Sequence, residues 1–124
     1  MKLVNIMKSD VVTTFPEETA ENAWKLMQVK GCHHLMVISQ EGLVGVLSER
    51  DLGGKNGEII RKDHVVADFM SKDVVTATPE TSLHEAADLL RGHNIGCLPI
   101  LDGGKLCGIL TTTDLLKIIA GSTE

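Results

Sequence analysis

The chain has 124 residues, enough for one compact domain or for two very small ones that share a core, which excludes most multidomain enzymes. Apolar residues make up 43% and charged residues 23%, as in a globular protein, while aromatic residues at 2% are too few to build a platform for single-stranded nucleic acid. The net charge of −5 argues against duplex DNA or an anionic membrane as the main partner, because both require clustered cations.

The first eight residues contain no apolar stretch of the kind found in secretion signals, and no part of the chain approaches the roughly 18 apolar residues of a membrane span. We therefore predict a cytoplasmic protein. Its three cysteines, Cys32, Cys97 and Cys107, cannot all pair with one another. In a reducing compartment they are expected to be small hydrophobic core residues.

The chain contains one motif twice. Residues 7–13, Met-Lys-Ser-Asp-Val-Val-Thr, recur 63 positions later as Met-Ser-Lys-Asp-Val-Val-Thr at residues 70–76, and the register then holds without a gap. Two copies are too few for a solenoid, so we expect them to bury their sheets against each other. The sequence thus predicts a first repeat with the start of a connector at residues 1–60 and a second repeat at residues 61–124.

Each copy is predicted to fold as β-α-β-β-α, which gives an α+β protein of two pseudo-symmetric repeats packed sheet to sheet. The β-branched runs at residues 11–14 and 74–76 predict short first strands, closed by Pro16 and Pro79. Helices are then predicted to begin at Thr19 and Ser82, because apolar residues follow at helical spacing.

Gly31 and Asn94 are suited to end these first helices. Two apolar runs follow in each copy, and the glycine-containing turns between them predict hairpins. The runs lie at residues 35–38, 43–47, 98–101 and 106–110. Second helices are predicted to begin at Ser48 and Thr111, the former stopping near Gly53, with a connector at residues 53–67.

The same pattern ends the second hairpin strand in both copies: a glycine, two apolar residues, a hydroxyl residue, two variable residues and an aspartate. It runs from Gly45 to Asp51 and from Gly108 to Asp114. One interpretation is simple helix capping by the hydroxyl residue and the acid. The other is a nucleotide site, with a phosphate at the helix N-terminus, a ribose on the aspartate and a glycine that admits the ligand. Both interpretations fit the residues.

The two copies resemble a tandem pair of CBS domains, also called a Bateman module, in a stand-alone CBS domain protein. The resemblance covers nearly the whole chain. It rests on Met-x-x-Asp-Val-Val-Thr before a proline, on Leu-Pro-Ile-Leu-Asp at residues 98–102, and on the hydroxyl-x-x-Asp ending of both copies. It implies a regulatory module rather than an enzyme, which binds AMP, ADP, ATP, NAD or S-adenosylmethionine in clefts between the repeats and requires no cofactor. It also implies a homodimer that regulates a protein partner not named by the sequence.

Carried over by position, the resemblance assigns ribose-binding acids, phosphate-side hydroxyls, first-strand residues, residues before the second strand, and the wall of one slot. They are Asp51 and Asp114; Ser48 and Thr111; Thr13 and Thr76; His33, His34, Gly96 and Cys97; and Pro99, where the first copy has Met36. Arg50 adds a positive charge near a phosphate in the first copy, where the second copy has Thr113. The two sites are therefore expected to differ.

Two alternatives remain open. Cys32, His33 and His34 are consecutive, and His93 lies four positions before Cys97, so a metal- or thiol-responsive regulator is one hypothesis, although no paired Cys-x-x-Cys spacing is present. The other is a dimerisation scaffold that binds no ligand, since caps and ligand sites use the same residues. No catalytic nucleophile motif or phosphate-binding loop appears in the sequence.

Overall fold

The opening residues of the chain fold together with its second half. The structure is a computed structural model, and it describes residues 1–121. One compact unit is Val12–Val74, and the other combines Met1–Val11 with the residues from Val75 onward. Each unit contains helices and a small sheet, which confirms the α+β class. These units have other boundaries than the repeats at 1–60 and 61–124, which were drawn from sequence similarity and stay a prediction as domains.

The unit Val12–Val74 is built around a three-stranded sheet. Its elements are β1 (Thr13–Thr14), α1 (Ala20–Lys30), β2 (His34–Ser39), β3 (Gly42–Ser48) and α2 (Glu58–Arg61). Strand β1 runs parallel to β2, and β2 is antiparallel to β3. The predicted first hairpin is therefore confirmed.

The ends of α1 follow from single residues. The Thr19 hydroxyl accepts a hydrogen bond from the Asn22 backbone N–H at 3.1 Å, which satisfies one of the unpaired donors at the helix start. Gly31 then ends the helix with a positive φ of 68°, a conformation that glycine adopts without a steric penalty. Both predicted helix boundaries are confirmed.

The other unit has the same order of helix, hairpin and second helix, without a strand equivalent to β1 among its described residues. Its elements are α3 (Leu83–Gly92), β4 (Cys97–Asp102), β5 (Lys105–Thr111) and α4 (Thr112–Gly121), and β4 is antiparallel to β5. Ser82 and Glu85 form the predicted capping box, with bonds of 3.0 and 3.2 Å. Asn94, at φ 53°, lies two positions beyond the helix end rather than at its cap.

Each unit has its own hydrophobic core, and many core residues are equivalent by the repeat. Both hairpins also shift register at equivalent positions, after Val37 and after Ile100. The fully buried core of the first unit comprises Ala20, Ala23, Met27, Leu35, Val37, Leu47, Leu52 and Val66. The core of the second unit comprises Leu3, Ala77, Ala86, Leu90, Leu98, Ile100 and Leu110.

Two predicted elements are wrong. No second helix begins at Ser48, because the chain turns at once: the Gly53 N–H bonds to the Arg50 carbonyl at 3.0 Å, and Gly53 and Gly54 have φ of 84° and 65°. A short 3-10 turn, Gly54–Asn56, follows. Residues 74–76 form no strand, and only Ala77 makes a single parallel bridge to Ile100.

The opening segment of each repeat lies against the hairpin of the other repeat. Lys8 pairs with Ile109 in one unit, and Ser71 pairs with Val46 in the other. A Cβ built on Gly108 would lie 2.8 Å from the Met7 sulfur and 3.0 Å from the Lys8 carbonyl oxygen. The expectation that this glycine admits a ligand is therefore wrong, because the protein's own chain occupies that space.

Gly45 has the same environment in the other unit. A Cβ there would lie 2.7 Å from the Met70 sulfur and 3.1 Å from the Ser71 carbonyl oxygen. Both glycines of the repeated motif therefore serve close packing between β-strands and the opening segments, and the ligand interpretation is left with the hydroxyl residues and the aspartates.

Candidate functional site

Residues 48–51, here called the Asp51 motif, form a closed turn at the end of β3. The Ser48 N–H donates to Asp51 Oδ2 at 2.9 Å, and the Asp51 N–H donates to Ser48 Oγ at 3.0 Å. Asp51 is exposed, and among residues 1–121 no basic side chain forms an ion pair with it. The turn therefore fixes the carboxylate through one oxygen and leaves Oδ1 able to accept further hydrogen bonds.

Two histidines, His33 and His34, lie beside this turn. His34 stands opposite Ser48 in the β2–β3 pairing, and the His33 carbonyl accepts a hydrogen bond from the Glu49 N–H at 2.9 Å. His33 Nδ1 lies 2.5 Å from Glu49 Oε2. Glu49 was not predicted, because it occupies one of the two variable positions of the motif. It partners His33 and adds a negative charge beside the turn.

Burial lowers the pKa of the His34 imidazole, and the neighbouring His33 lowers it further, against the opposing effect of Asp51 and Glu49. His34 is accordingly neutral near pH 7, with one ring nitrogen able to donate a hydrogen bond and the other able to accept one.

The other two predicted site residues of this unit, Thr13 and Arg50, form no hydrogen bond or ion pair with the residues described above. Thr13 is exposed on β1 and pairs with Met36 of β2, which is fully buried. Arg50 is exposed within the turn and, in the described part of the chain, takes part in no ion pair. The structure thus groups His33, His34, Ser48 and Asp51 by direct contact or pairing. It places Thr13 and Arg50 in the same unit without a bond to them.

Residues 111–114, the Asp114 motif, repeat the turn at the start of α4. The Thr111 N–H donates to Asp114 Oδ2 at 3.2 Å, and the Asp114 N–H donates to Thr111 Oγ1 at 3.1 Å. Here, however, the acid is buried, with 7% of its surface exposed, and Lys8 Nζ lies 3.0 Å from Asp114 Oδ1.

Burial acts to raise the pKa of the Asp114 carboxyl. The hydrogen bonds from Lys8 and Thr111 and the charge of Lys8 outweigh burial, and the pKa is lowered. Asp114 is therefore a carboxylate at neutral pH, and both of its oxygens already accept a hydrogen bond from the protein.

The other predicted residues of this unit surround the start of β4. Cys97 is buried opposite Thr111, and Pro99 is buried opposite Ile109. The exposed Gly96 accepts a hydrogen bond from the Thr112 N–H at 3.0 Å through its carbonyl. Burial, with a contribution from the charge of Asp114, raises the pKa of the Cys97 thiol to about 12. Thr76 is exposed and lies just before the bridge residue Ala77.

The cysteines are all free thiols, and only Cys97 is buried, while Cys32 and Cys107 are half-buried. Burial raises the pKa of Cys32 and of Cys107 as well. The prediction that the cysteines are core residues therefore holds fully for Cys97 alone.

Arg61 is a residue that the sequence analysis missed. It is buried, and its guanidinium donates to the carbonyls of Leu52 and Gly54 at 2.9 and 2.8 Å and to Glu21 Oε1 at 2.9 Å. These carbonyls belong to the turn that follows Asp51, so Arg61 holds the chain immediately after the motif. A lone arginine in a glycine-rich connector gives no sequence signal for this contact.

Within residues 1–121, no three side chains of histidine, cysteine, aspartate or glutamate lie close enough together to hold a metal ion. Glu49 lies beside His33, but no third side chain of these types joins the pair in the part of the chain that the structure describes. No helix in that part combines the length and apolar character that a membrane crossing requires.

The chain thus combines two repeated α+β units, each with a self-closing hydroxyl-x-x-Asp turn. The chain belongs to the CBS domain family, whose model matches residues 3–52 and 66–121. Among curated relatives, the chain is 35% identical over 112 residues to the inosine-5'-monophosphate dehydrogenase of Thermoplasma acidophilum, which covers 90% of the chain and 22% of that enzyme. The chain therefore spans about a fifth of the length of the dehydrogenases it matches.

A relative of similar length is the CBS domain-containing protein YhcV of Bacillus subtilis, 32% identical over 115 residues, which cover 88% of this chain and 79% of YhcV. Among solved structures, a protein with CBS domains from Burkholderia ambifaria has a TM-score of 0.90 at 27% identity, over 100% of this chain and 97% of that one.

CBSX2, solved in complex with AMP, has a TM-score of 0.81 at 28% identity over 99% of this chain and 98% of its own. A hexameric CBS-CP12 protein from bloom-forming cyanobacteria has a TM-score of 0.84 at 27% identity, covering 97% and 73% of the two chains. These matches confirm the family predicted from the repeated motif.

Proposed function

We propose that this protein is a regulatory module that binds an adenine nucleotide at the Asp51 motif and at the Asp114 motif. The observation that carries the proposal is the pair of equivalent turns, each of which holds one aspartate by the same two backbone and hydroxyl hydrogen bonds. A carboxylate held in this way can accept both hydroxyls of a ribose, which is a charge-assisted and geometrically selective interaction.

The residues around the turns suit the rest of a nucleotide. Arg50 provides an exposed positive charge beside Asp51, and Lys8 provides one beside Asp114. The positive end of the dipole of the ten-residue helix α4 lies next to the second motif, although the Thr112 and Asp114 N–H groups already bond to Gly96 and Thr111. The AMP complex of the similar protein CBSX2 supports AMP as the first ligand to test, with ATP, NAD and S-adenosylmethionine as the other members of the class.

The test is calorimetric titration of the wild-type chain with these four compounds, followed by Asp51→Asn and Asp114→Asn. Asparagine keeps an oxygen that can accept the bond from Ser48 or Thr111, so the turn is preserved while the charge is lost. Each variant is expected to bind at least about tenfold more weakly at its own motif. Asp10→Asn, an exposed acid outside both motifs, is the matched control. Wild-type affinity in both motif variants would contradict ribose binding by these acids.

A dimerisation scaffold without a ligand is the second candidate, favoured by the reciprocal hydrogen bonds themselves, since these satisfy a cap whether or not a ligand binds. Thermal unfolding distinguishes the two. A ligand present at 100 times its dissociation constant stabilises the native state by about 2.7 kcal/mol, whereas a scaffold shows no shift with any nucleotide.

The module would transmit occupancy to a partner rather than catalyse a reaction. A ligand shifts a conformational equilibrium only if it binds two states unequally, so transmission requires a second state in which the two turns bind the ligand less well. We expect self-association as well, since Leu116 and Ile119 are exposed on α4 and the similar CBS-CP12 protein is hexameric. Sedimentation of the wild-type chain tests this expectation, and a monomer at all concentrations would contradict it.

A further inference from the structure

The two motifs differ in the partners of the aspartate carboxylate. At the Asp114 motif, Oδ2 accepts the Thr111 N–H and Oδ1 is 3.0 Å from the ammonium of Lys8. At the Asp51 motif, Oδ2 accepts the Ser48 N–H, and no basic side chain of the described residues forms an ion pair with the carboxylate. Asp114 is thus buried and ion-paired with Lys8, whereas Asp51 is exposed and has no ion pair within the described residues.

The difference arises at one position of the repeat. Lys8 is held against β5 by two backbone hydrogen bonds with Ile109, of 3.0 and 2.9 Å. The equivalent position in the other unit is Ser71, which is held against Val46 by the same two bonds, of 2.8 and 3.0 Å. The backbone pairing is shared, and the side chain differs: Lys8 brings an ammonium to Asp114, whereas Ser71 has no charge to offer Asp51.

We propose that Lys8 determines ligand specificity at the Asp114 motif, so that this motif accepts adenine ligands that carry an anionic group and rejects neutral or cationic ones. The inference rests on the proposed function. A ribose hydroxyl that approaches Asp114 Oδ1 competes with the Lys8 ammonium for the same oxygen. Separating a buried carboxylate from its cation is unfavourable unless the cation gains another anionic partner.

A phosphate supplies that partner. The Lys8 side chain is 60% exposed and flexible, so its ammonium can turn from Asp114 to a phosphate while the ribose takes its place on the carboxylate. Adenosine offers no such exchange, and S-adenosylmethionine offers a weaker one than AMP because its single carboxylate is accompanied by a sulfonium and an ammonium group. The Asp51 motif lacks this lysine and is therefore expected to discriminate less between AMP and adenosine.

The experiment compares AMP with adenosine by calorimetry in the Asp51→Asn background, which isolates the Asp114 motif. Lys8→Ser, which installs the residue of the other repeat, is expected to reduce the ratio of AMP affinity to adenosine affinity on the order of tenfold. Lys8→Arg keeps the cation and is expected to keep the preference. The reciprocal variant, Ser71→Lys in the Asp114→Asn background, is expected to raise the same ratio at the Asp51 motif.

Equal weakening of AMP and adenosine by Lys8→Ser, with the ratio unchanged, would overturn the proposal and leave the proposed function standing. Absence of binding of both compounds to the wild-type chain would overturn the proposed function and this inference with it. Thermal unfolding of each variant verifies that it folds. Should Lys8→Ser fail to fold, Ser71→Lys decides the matter, because it adds a lysine without removing one, and an unchanged ratio there counts against the proposal.

Discussion

The guanidinium of Arg61 lies over the ring of Trp24, with its central carbon 4.3 Å from the ring centre. The same group bonds to two carbonyls of the turn after Asp51 and to Glu21 of α1. An arginine can make these three hydrogen bonds and the ring contact at once, because its planar guanidinium presents donors in several directions and stacks on aromatic faces. This contact ties the connector to α1 and holds the turn after the Asp51 motif.

We expect Arg61→Ala to lower the free energy of unfolding by about 1.5–3 kcal/mol, because the carbonyls of Leu52 and Gly54 lose a charged donor in a buried place. Urea denaturation followed by circular dichroism measures this change. Arg91, an exposed arginine paired with Asp88 on α3, is the matched control, and Arg91→Ala is expected to change stability by less than about 0.5 kcal/mol. Equal effects of the two variants would contradict the role of Arg61.

The close packing at Gly108 predicts that even one methyl group is harmful there. Gly108→Ala is expected to destabilise the fold by about 1–3 kcal/mol, since the Lys8 carbonyl oxygen and the Met7 side chain must move. Gly92, the last residue of α3, has open space around it, and Gly92→Ala is expected to stabilise the fold by about 0.5–1 kcal/mol. Chemical denaturation of both variants tests the contrast, and a stabilising Gly108→Ala would refute the packing argument.

The lowered pKa of Asp114 predicts a dependence of stability on pH. Because the folded carboxyl ionises more readily than the unfolded one, its contribution is fully present above the ordinary pKa of 3.8 and is lost as the pH falls through the lower folded value. At pH 7, Asp114→Asn should cost about 1.5 kcal/mol or more, and the cost should disappear in strong acid. Denaturation at pH 7 and below pH 3.8 measures it, and Lys8→Ser should show the same trend with a smaller amplitude.

The raised pKa of Cys97, together with its burial, predicts an inert thiol. At pH 8 in the native protein, iodoacetamide should modify Cys107 and Cys32 slowly and leave Cys97 unmodified, because the attacking species is the thiolate. All three should react after unfolding in urea, which is the control. Peptide mass spectrometry reads out each site. Rapid native modification of Cys97 would revive the hypothesis of a thiol-responsive regulator at this position.

Local features were predictable from the sequence because their causes are local. Thr19, Gly31 and Ser82 cap helices through residues a few positions away, and the turn at Glu41 joins strands that are neighbours in the chain. The sequence predicted a helix after Ser48 that the structure does not contain. Gly53 and Gly54 were noted, but the pattern does not show that both adopt a left-handed conformation, which ends the chain's turn before a helix can form.

The contacts that distinguish the two motifs could not be predicted from local sequence patterns. Lys8 and Asp114 meet because a single bridge joins opposite ends of the chain, and one bridge leaves no periodic pattern in the sequence. The repeat alignment correctly marked Asp51 and Asp114 as equivalent. It could not show that one is exposed and the other buried, because burial depends on which segment covers each acid.

The opening segment also sets an order on how the protein is made. Lys8 leaves the ribosome long before Ile109 is synthesised, so residues 1–11 must wait unpaired while Val12–Val74, the contiguous unit, can already assemble. Residues 1–11 can pair with β5 only after the second unit has been synthesised. Removal of residues 1–11 would deprive the second unit of Leu3 in its core and of the lysine at its aspartate.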